Sequence, residues 1–98
     1  MPEFSNPFSG NNCEKKISKD ELIRTIRFSI ASEYEAIQLY EQIIHSTSDE
    51  LVKEVMQDIA DEEKVHVGEF LKLLKILSPD EFVFYAEGKK EVEEEFLS

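Results

Sequence analysis

Two stretches of this 98-residue chain carry an apolar residue at every third or fourth position, which is the spacing of one face of an α-helix. The first stretch has its apolar positions, with one gap of seven residues, at Ile23, Ile26, Ile30, Ile37, Tyr40 and Ile44. The second stretch has the same spacing on either side of its centre, at Val52, Met56, Ile59, Phe70, Leu73 and Leu77. The pattern predicts two long amphipathic helices that pack along their apolar stripes.

Three polar tetrapeptides predict where helices begin, namely 18–21, 47–50 and 78–81. Each starts with Ser or Thr and has Glu three residues later, which is the capping-box pattern. We therefore expect helices over about 19–45, 49–77 and 79–87, with Gly88 ending or interrupting the third. After Gly88 the chain either resumes as a helix over 89–98 or ends there, and in both cases it should present a solvated acidic face. The first connection is short, so the first two helices should form an antiparallel hairpin.

Ionisable residues interrupt both apolar stripes near their centres. Glu33 occupies the gap of the first stripe, and Glu63 and His66 continue the rhythm of the second. A lone buried carboxylate is costly, or its pKa shifts until it is neutral. A divalent metal compensates for such burial, because carboxylates and imidazole are its natural ligands.

The spacing of these residues supports a common site. Glu63 and His66 are three residues apart, so they project from the same side of a helix. Glu33 lies about 12 residues before the end of the first helix, and Glu63 about 14 after the start of the second. In an antiparallel hairpin, Glu33 and Glu63 therefore lie at similar distances from the turn that joins the two helices. The alternative is a buried Glu–His network, without metal, that sets the register of a helical dimer.

The three residues are half of a known ligand set. Di-iron carboxylate bundles use one Glu from each of two helices and Glu-x-x-His from each of the other two. A second copy related by a two-fold axis would complete the set and would enlarge the core of a small chain. The predicted fold is all-α: an antiparallel two-helix hairpin plus a short third helix, forming a four-helix bundle by dimerisation.

Composition excludes several classes of protein. The chain has 22 acidic against 11 basic residues, a net charge of −11, which argues against binding nucleic acid or anionic membranes and favours cations. We find no apolar run of bilayer length and no secretory signal. Cys13 is the single cysteine, so it forms no internal disulfide or thiolate metal site, and it fits the reducing cytoplasm.

Residues 1–17 differ from the rest of the chain. They contain two of the three prolines and the aromatic residues Phe4 and Phe8, and they show no helical period. We expect an extended N-terminal arm over 1–17 that docks onto another chain, followed by a helical domain over 18–98.

Other ionisable and aromatic residues lie near the predicted ligands. Glu35 and Glu62 flank them closely enough to guide incoming cations, and Tyr40 lies on the ligand stripe, where it can approach the metal. His45 lies at the end of the first helix, where a cation suits the helix dipole. We therefore interpret His45 as a helix-end residue and not as a ligand.

The segments 33–42 (EYEAIQLYEQ) and 61–70 (DEEKVHVGEF) resemble the encapsulated ferritins, in the ferritin-like group that also includes rubrerythrins. The similarity covers about residues 18–90, which should form the ferritin-like helical domain. The resemblance implies a two-helix half-ferritin with a shorter third helix, pairing of two chains into a ferroxidase centre, and a ring, typically a decamer. It also implies oxidation of Fe(II) by dioxygen inside a cytoplasmic encapsulin nanocompartment, with the encapsulin shell protein as partner.

The same resemblance implies residue roles. Glu33 would be a terminal iron ligand, Glu63 a bridging ligand and His66 the imidazole ligand, with Tyr40 close to the centre. Iron is the implied metal, and Mn, Zn or Ca are the substitutes that a crystal can contain. Ser32 stands where some members have a glutamate used in metal uptake, which leaves Glu35 and Glu62 for that task.

Three functions remain open from the sequence. The first is a ferroxidase. The second is a rubrerythrin-like di-metal peroxidase, although rubrerythrins carry a second iron site with four cysteines and this sequence has one. The third is a non-catalytic helical oligomerisation module, which predicts no bound metal. The sequence has no obvious shell-targeting peptide before Ser98, so either the N-terminal arm serves that purpose or the sequence is truncated.

Overall fold

The computed structural model describes residues 16–97. Within that range the chain forms three α-helices and no strand: α1 spans Lys19–Ser46, α2 Glu50–Leu77 and α3 Pro79–Phe96. The predicted all-α class is confirmed, and the bounds of α1 and α2 differ from the expected ones by one residue at most. Of the predicted N-terminal arm, residues 1–15 lie outside the described part of the chain.

The helix starts differ in how their first backbone N–H groups are satisfied. At α1 the capping box forms, since the Ser18 hydroxyl accepts from the Glu21 N–H at 3.1 Å and the Glu21 carboxylate accepts from the Ser18 N–H at 3.0 Å. At α2 the expected Thr47 box is wrong. Asp49 caps the helix by accepting from the Val52 N–H at 3.1 Å, while the Thr47 hydroxyl accepts from the Asp49 N–H in the turn.

The third helix departs most from expectation. Its capping box is absent, because Ser78 makes no side-chain cap and its hydroxyl donates to the Glu81 carboxylate at 3.2 Å. The helix is also longer than predicted, since it continues through Gly88 to Phe96. A glycine in a helix interior costs only about 1 kcal/mol, and the lysines and glutamates that follow are good helix formers. Lys90 and Glu94 form an i,i+4 ion pair at 3.7 Å across this region.

The core lies between α1 and α2. Buried isoleucines of α1, at positions 26, 30 and 37, pack against Val67 and Leu74 of α2. Ala60 has no exposed surface, and Leu74 is 2% exposed. Positions 60, 67 and 74 are seven residues apart, so they form one line along α2 that faces α1.

This line corrects the predicted stripe of α2. Leu73, which the stripe included, is 47% exposed, and His66 is also exposed. The apolar surface of α2 is wide enough to have two edges, and only one of them packs on α1. The other edge is uncovered in the single chain.

The third helix extends sideways from the hairpin. The principal extents are 51 × 46 × 20 Å. Two packed helices are only about 20 Å wide, so the 46 Å extent requires α3, about 27 Å long, to project from them. In the described residues, no helix combines the length and the apolar character needed to cross a membrane.

Candidate metal centre

Glu33 of α1 lies opposite Glu63 and His66 of α2, at the edge of the core. One ligand atom from each of the three side chains lies within 4.8 Å of the other two. The Nδ1 atom of His66 is 3.7 Å from Glu33 Oε2 and 3.5 Å from Glu63 Oε2. The structure therefore brings together the three residues that the sequence singled out as metal ligands.

Core packing explains why these side chains converge. Ile30 and Ile37 are buried on either side of Glu33, three and four residues away, and Val67 is buried directly after His66. Since these neighbours fix the rotation of both helices, the two carboxylates are held at the rim of the apolar contact. Their side chains are 21% and 19% exposed, whereas the His66 side chain is 49% exposed.

The polar atoms of this group do not satisfy one another. Glu33 Oε2 is buried and has no hydrogen-bond partner. The distances from His66 Nδ1 to the two carboxylates exceed the 2.7–3.2 Å of a normal N–H···O bond. Two carboxylates at this separation also repel each other. The chemistry that would satisfy all three groups is a cation bound by oxygen and nitrogen donors, so the donor set fits a divalent metal.

The three side chains lie on a surface that is only partly covered within residues 16–97, which we call the open face. It is defined by the partly exposed residues on the same helix sides as Glu33 and His66, which are Ser29, Ala36, Tyr40, Val55, Ile59 and Leu73. Val55 and Leu73 are 48% and 47% exposed. Three donor residues are fewer than the four or more ligands that a divalent metal takes, so a metal held here would need further donors from this side.

The other predicted site residues are not part of the three-residue group. Tyr40 is half-buried and lies two helical turns after Glu33, so only its side chain, which leans toward the helix N-terminus, can approach the carboxylate. Glu35 is exposed and, two residues after Glu33, points away from it. Glu62 is exposed beside Glu63. His45 lies in the last turn of α1, as expected.

A second polar cluster, which the sequence did not predict, connects α1 to α3. Glu81 accepts from Arg27, whose Nη2 lies 2.5 Å and whose Nε lies 3.2 Å from Oε1. Tyr85 donates its hydroxyl to the same carboxylate, as does Ser78. The sequence signal, Ser78 with Glu81, was assigned to a capping box because nothing local identifies Arg27 as a partner.

These contacts change two pKa values. The hydrogen bond from Arg27, with smaller contributions from Tyr85 and Ser78, lowers the pKa of Glu81 to about 2. The hydrogen bond to the Glu81 carboxylate raises the pKa of Tyr85. Glu81 is therefore ionised at all ordinary pH values, and the cluster is a permanent ion pair.

Comparison with known proteins supports the resemblance seen in the motifs. The chain is 42% identical over 83 residues to a ferritin-like–encapsulin shell fusion protein of Pyrococcus furiosus. The aligned residues cover 85% of this chain and 24% of the relative. It is 37% identical over 81 residues to an encapsulin nanocompartment cargo protein of Myxococcus xanthus. That alignment covers 83% of this chain and 61% of the relative. The chain thus spans about a quarter and about three fifths of these curated relatives.

A solved structure and a family model cover nearly all of the described residues. The encapsulated ferritin domain from Pyrococcus furiosus has a TM-score of 0.87 to this chain at 38% identity, with 99% of this chain and 98% of that chain covered. The rubrerythrin family model matches residues 25–97. This chain therefore belongs to the rubrerythrin family of ferritin-like proteins, together with the encapsulated ferritins.

Proposed function

We propose that this protein is a ferroxidase, which oxidises Fe(II) to Fe(III) with dioxygen at a di-iron site between two copies of the chain. The observation that carries the proposal is the convergence of Glu33, Glu63 and His66 within 4.8 Å, together with the unpartnered buried oxygen of Glu33. A purely structural Glu–His network would have its buried acceptors paired. A bound cation would satisfy these three side chains better than they satisfy one another.

A second copy completes the proposed site. One chain supplies two carboxylates and one imidazole, and a two-fold partner facing the open face doubles that set for two ions. The exposed Val55 and Leu73 lie on the same side of α2 as His66, so the same contact would bury apolar surface. Homodimerisation then forms the four-helix bundle and the metal site in one step, and a larger ring, a decamer in the resembled family, is the proposed final assembly.

The residues have distinct proposed roles. Glu33 would hold iron as a terminal carboxylate, Glu63 would be the carboxylate shared between the two ions, and His66 would be the nitrogen ligand. Two Fe(II) ions would together give two electrons to one dioxygen, which takes up two protons and leaves as hydrogen peroxide, while both ions leave as Fe(III), so iron is the substrate here. Negative carboxylates stabilise the more highly charged product, and the exposed side of His66 leaves room for the oxidant. Tyr40, Glu35 and Glu62 are proposed as neighbours of this path and not as ligands.

Storage of the product has to occur outside this chain. The described residues form a layer 20 Å thick, which is two helices and has no room for a mineral. The names of both curated relatives refer to encapsulin: one is a fusion with the encapsulin shell, and the other is a cargo protein of an encapsulin nanocompartment. We therefore propose that the chain works inside an encapsulin compartment in the cytoplasm, with the shell protein as partner. The net charge of −11 favours the local accumulation of Fe(II).

The test is the rate of Fe(II) oxidation in Glu33→Ala, Glu63→Ala and His66→Ala variants. Each should lose most of the oxidation rate, because each removes one ligand from both halves of the dimer. Glu54→Ala is the matched control, since it removes an exposed carboxylate from the same helix α2 and should leave the rate unchanged. Unaltered rates in the three ligand variants would refute the assignment.

A rubrerythrin-like peroxidase is the second candidate, favoured by the family model that matches residues 25–97. The two functions use the same ligands and differ in the oxidant. Oxidation of bound Fe(II) by hydrogen peroxide and by dioxygen, measured at equal oxidant concentration, separates them. Faster turnover with dioxygen supports the ferroxidase, and faster turnover with peroxide supports the alternative.

A further inference from the structure

The attachment of α3 to the rest of the molecule is small for a helix of 18 residues. None of its residues is classed as buried. Among the described residues, Phe82 is the one side chain of α3 that packs against the core cluster. The remaining helix projects from the hairpin, so within residues 16–97 apolar packing against the core holds only its first turn.

Glu81, next to Phe82, makes the other connection. Its carboxylate is 13% exposed and accepts from three donors: Arg27 of α1, Tyr85 one turn later, and Ser78 at the start of α3. A planar guanidinium that donates through both Nε and Nη2 restricts the direction of its partner as well as its distance. The Tyr85 ring packs edge-on against Phe82, with centroids 4.9 Å apart, so the donor is itself held in place.

The backbone next to this cluster is where α3 can turn. Ser78 separates α2 from α3 with φ −136° and ψ 65°, which is not helical. A single non-helical residue between two helices permits rotation unless other contacts prevent it.

We infer that the pair Arg27–Glu81, braced by Tyr85 and Ser78, is a latch that fixes the angle of α3 against the α1–α2 hairpin. The inference goes beyond the proposed ferroxidase and does not depend on bound iron, because none of the four residues belongs to the metal-ligating group. With the latch broken, α3 stays helical and keeps Phe82, but it takes a range of angles about Ser78.

Spin-label distance measurements test the latch. In a Cys13→Ser background of the full chain, labels at Gln38→Cys on α1 and Glu91→Cys on α3 report the angle. Dilution with unlabelled protein restricts the signal to pairs within one chain. We expect one narrow distance in this parent and a broad distribution in Arg27→Ala and in Glu81→Ala. Arg24→Ala and Glu87→Ala are the matched controls, as exposed residues of the same two helices.

The result depends on the helices remaining folded, which circular dichroism measures on the same samples. Arg27→Ala leaves every residue of α3 and its hinge intact, so it tests the latch even where Glu81→Ala loses helix. A narrow distance of unchanged length in folded Arg27→Ala would overturn the inference and assign the angle to Phe82 packing alone. A broad distance distribution in the labelled protein with Arg27 and Glu81 intact would also overturn the inference.

Discussion

Replacement of Glu33 by glutamine should change stability in opposite directions with and without metal. In the metal-free protein the substitution removes a carboxylate whose Oε2 is buried without a partner. It also supplies an amide that can donate to Glu63. We therefore expect metal-free Glu33→Gln to be more stable than the natural protein, and metal to stabilise it no longer.

The magnitude follows from the geometry. Glu33 and Glu63 offer oxygens within 4.8 Å of each other, and two full charges at that distance repel by roughly 3.5 kcal/mol at an effective dielectric constant of 20. About a fifth of each side chain is exposed, so solvent and His66 screen part of this repulsion. Relief of one unsatisfied buried group is worth about 1–3 kcal/mol. We therefore expect the free energy of unfolding of the metal-free protein to rise by about 1–3 kcal/mol. Each kcal/mol corresponds to a rise in Tm of roughly 4–8 °C.

Thermal unfolding followed by circular dichroism measures both directions. It is run at equal protein concentration, with chelator or with Mn²⁺ at about a hundred times its Kd, where the natural protein should gain about 2.7 kcal/mol. Glu35→Gln is the matched control, because it makes the same charge change two residues away on an exposed site and should stay within about 0.5 kcal/mol. Loss of stability in metal-free Glu33→Gln would refute the reasoning, since it would make Glu33 a structural residue.

Three further predictions concern the fold. Leu74→Ala removes a side chain that is 2% exposed and should cost about 2–5 kcal/mol in urea unfolding. Gly88→Ala places a methyl group in open space within α3 and should raise helicity and stability by about 0.5–1 kcal/mol, measured by thermal unfolding. Arg27→Ala should raise the pKa of Glu81 from about 2 toward its ordinary 4.5, measured by carboxyl ¹³C shifts. Because the pKa is lowered on folding, the stability from this group is present above pH 4.5 and lost as pH falls toward 2, and the variant should lack that slope.

The sequence predicted the features that depend on local chemistry. Apolar spacing and capping residues located α1 and α2 to within one residue, and the interruption of the stripes identified Glu33, Glu63 and His66. It was wrong where two signals competed for one residue. Ser78 and Glu81 match a capping box, but the carboxylate accepts from Arg27, which is 54 residues away in the chain. Only the folded chain brings that donor near.

Two other errors have physical causes. Gly88 was expected to end or interrupt α3, but a glycine weakens a helix without breaking it, and the residues after it favour helix. The stripe of α2 was predicted to pack on α1, and Phe70 and Leu77 of that stripe do pack against the core. Leu73 and His66 are exposed instead, and the most buried positions of α2 are Ala60, Val67 and Leu74. A stripe wide enough for two partners cannot be divided between them by spacing alone.

In the proposed arrangement, one chain holds half of a two-metal site and a second copy supplies the rest. Native mass spectrometry of the full chain, with and without anaerobic Fe(II), tests it most directly, because it reports chain number and metal number on the same particle. We expect two iron ions for every two chains, bound in dimers and their multiples, and we expect both the iron and the dimers to be lost in His66→Ala. Iron bound one to one on single chains, or dimers that bind none, would contradict it.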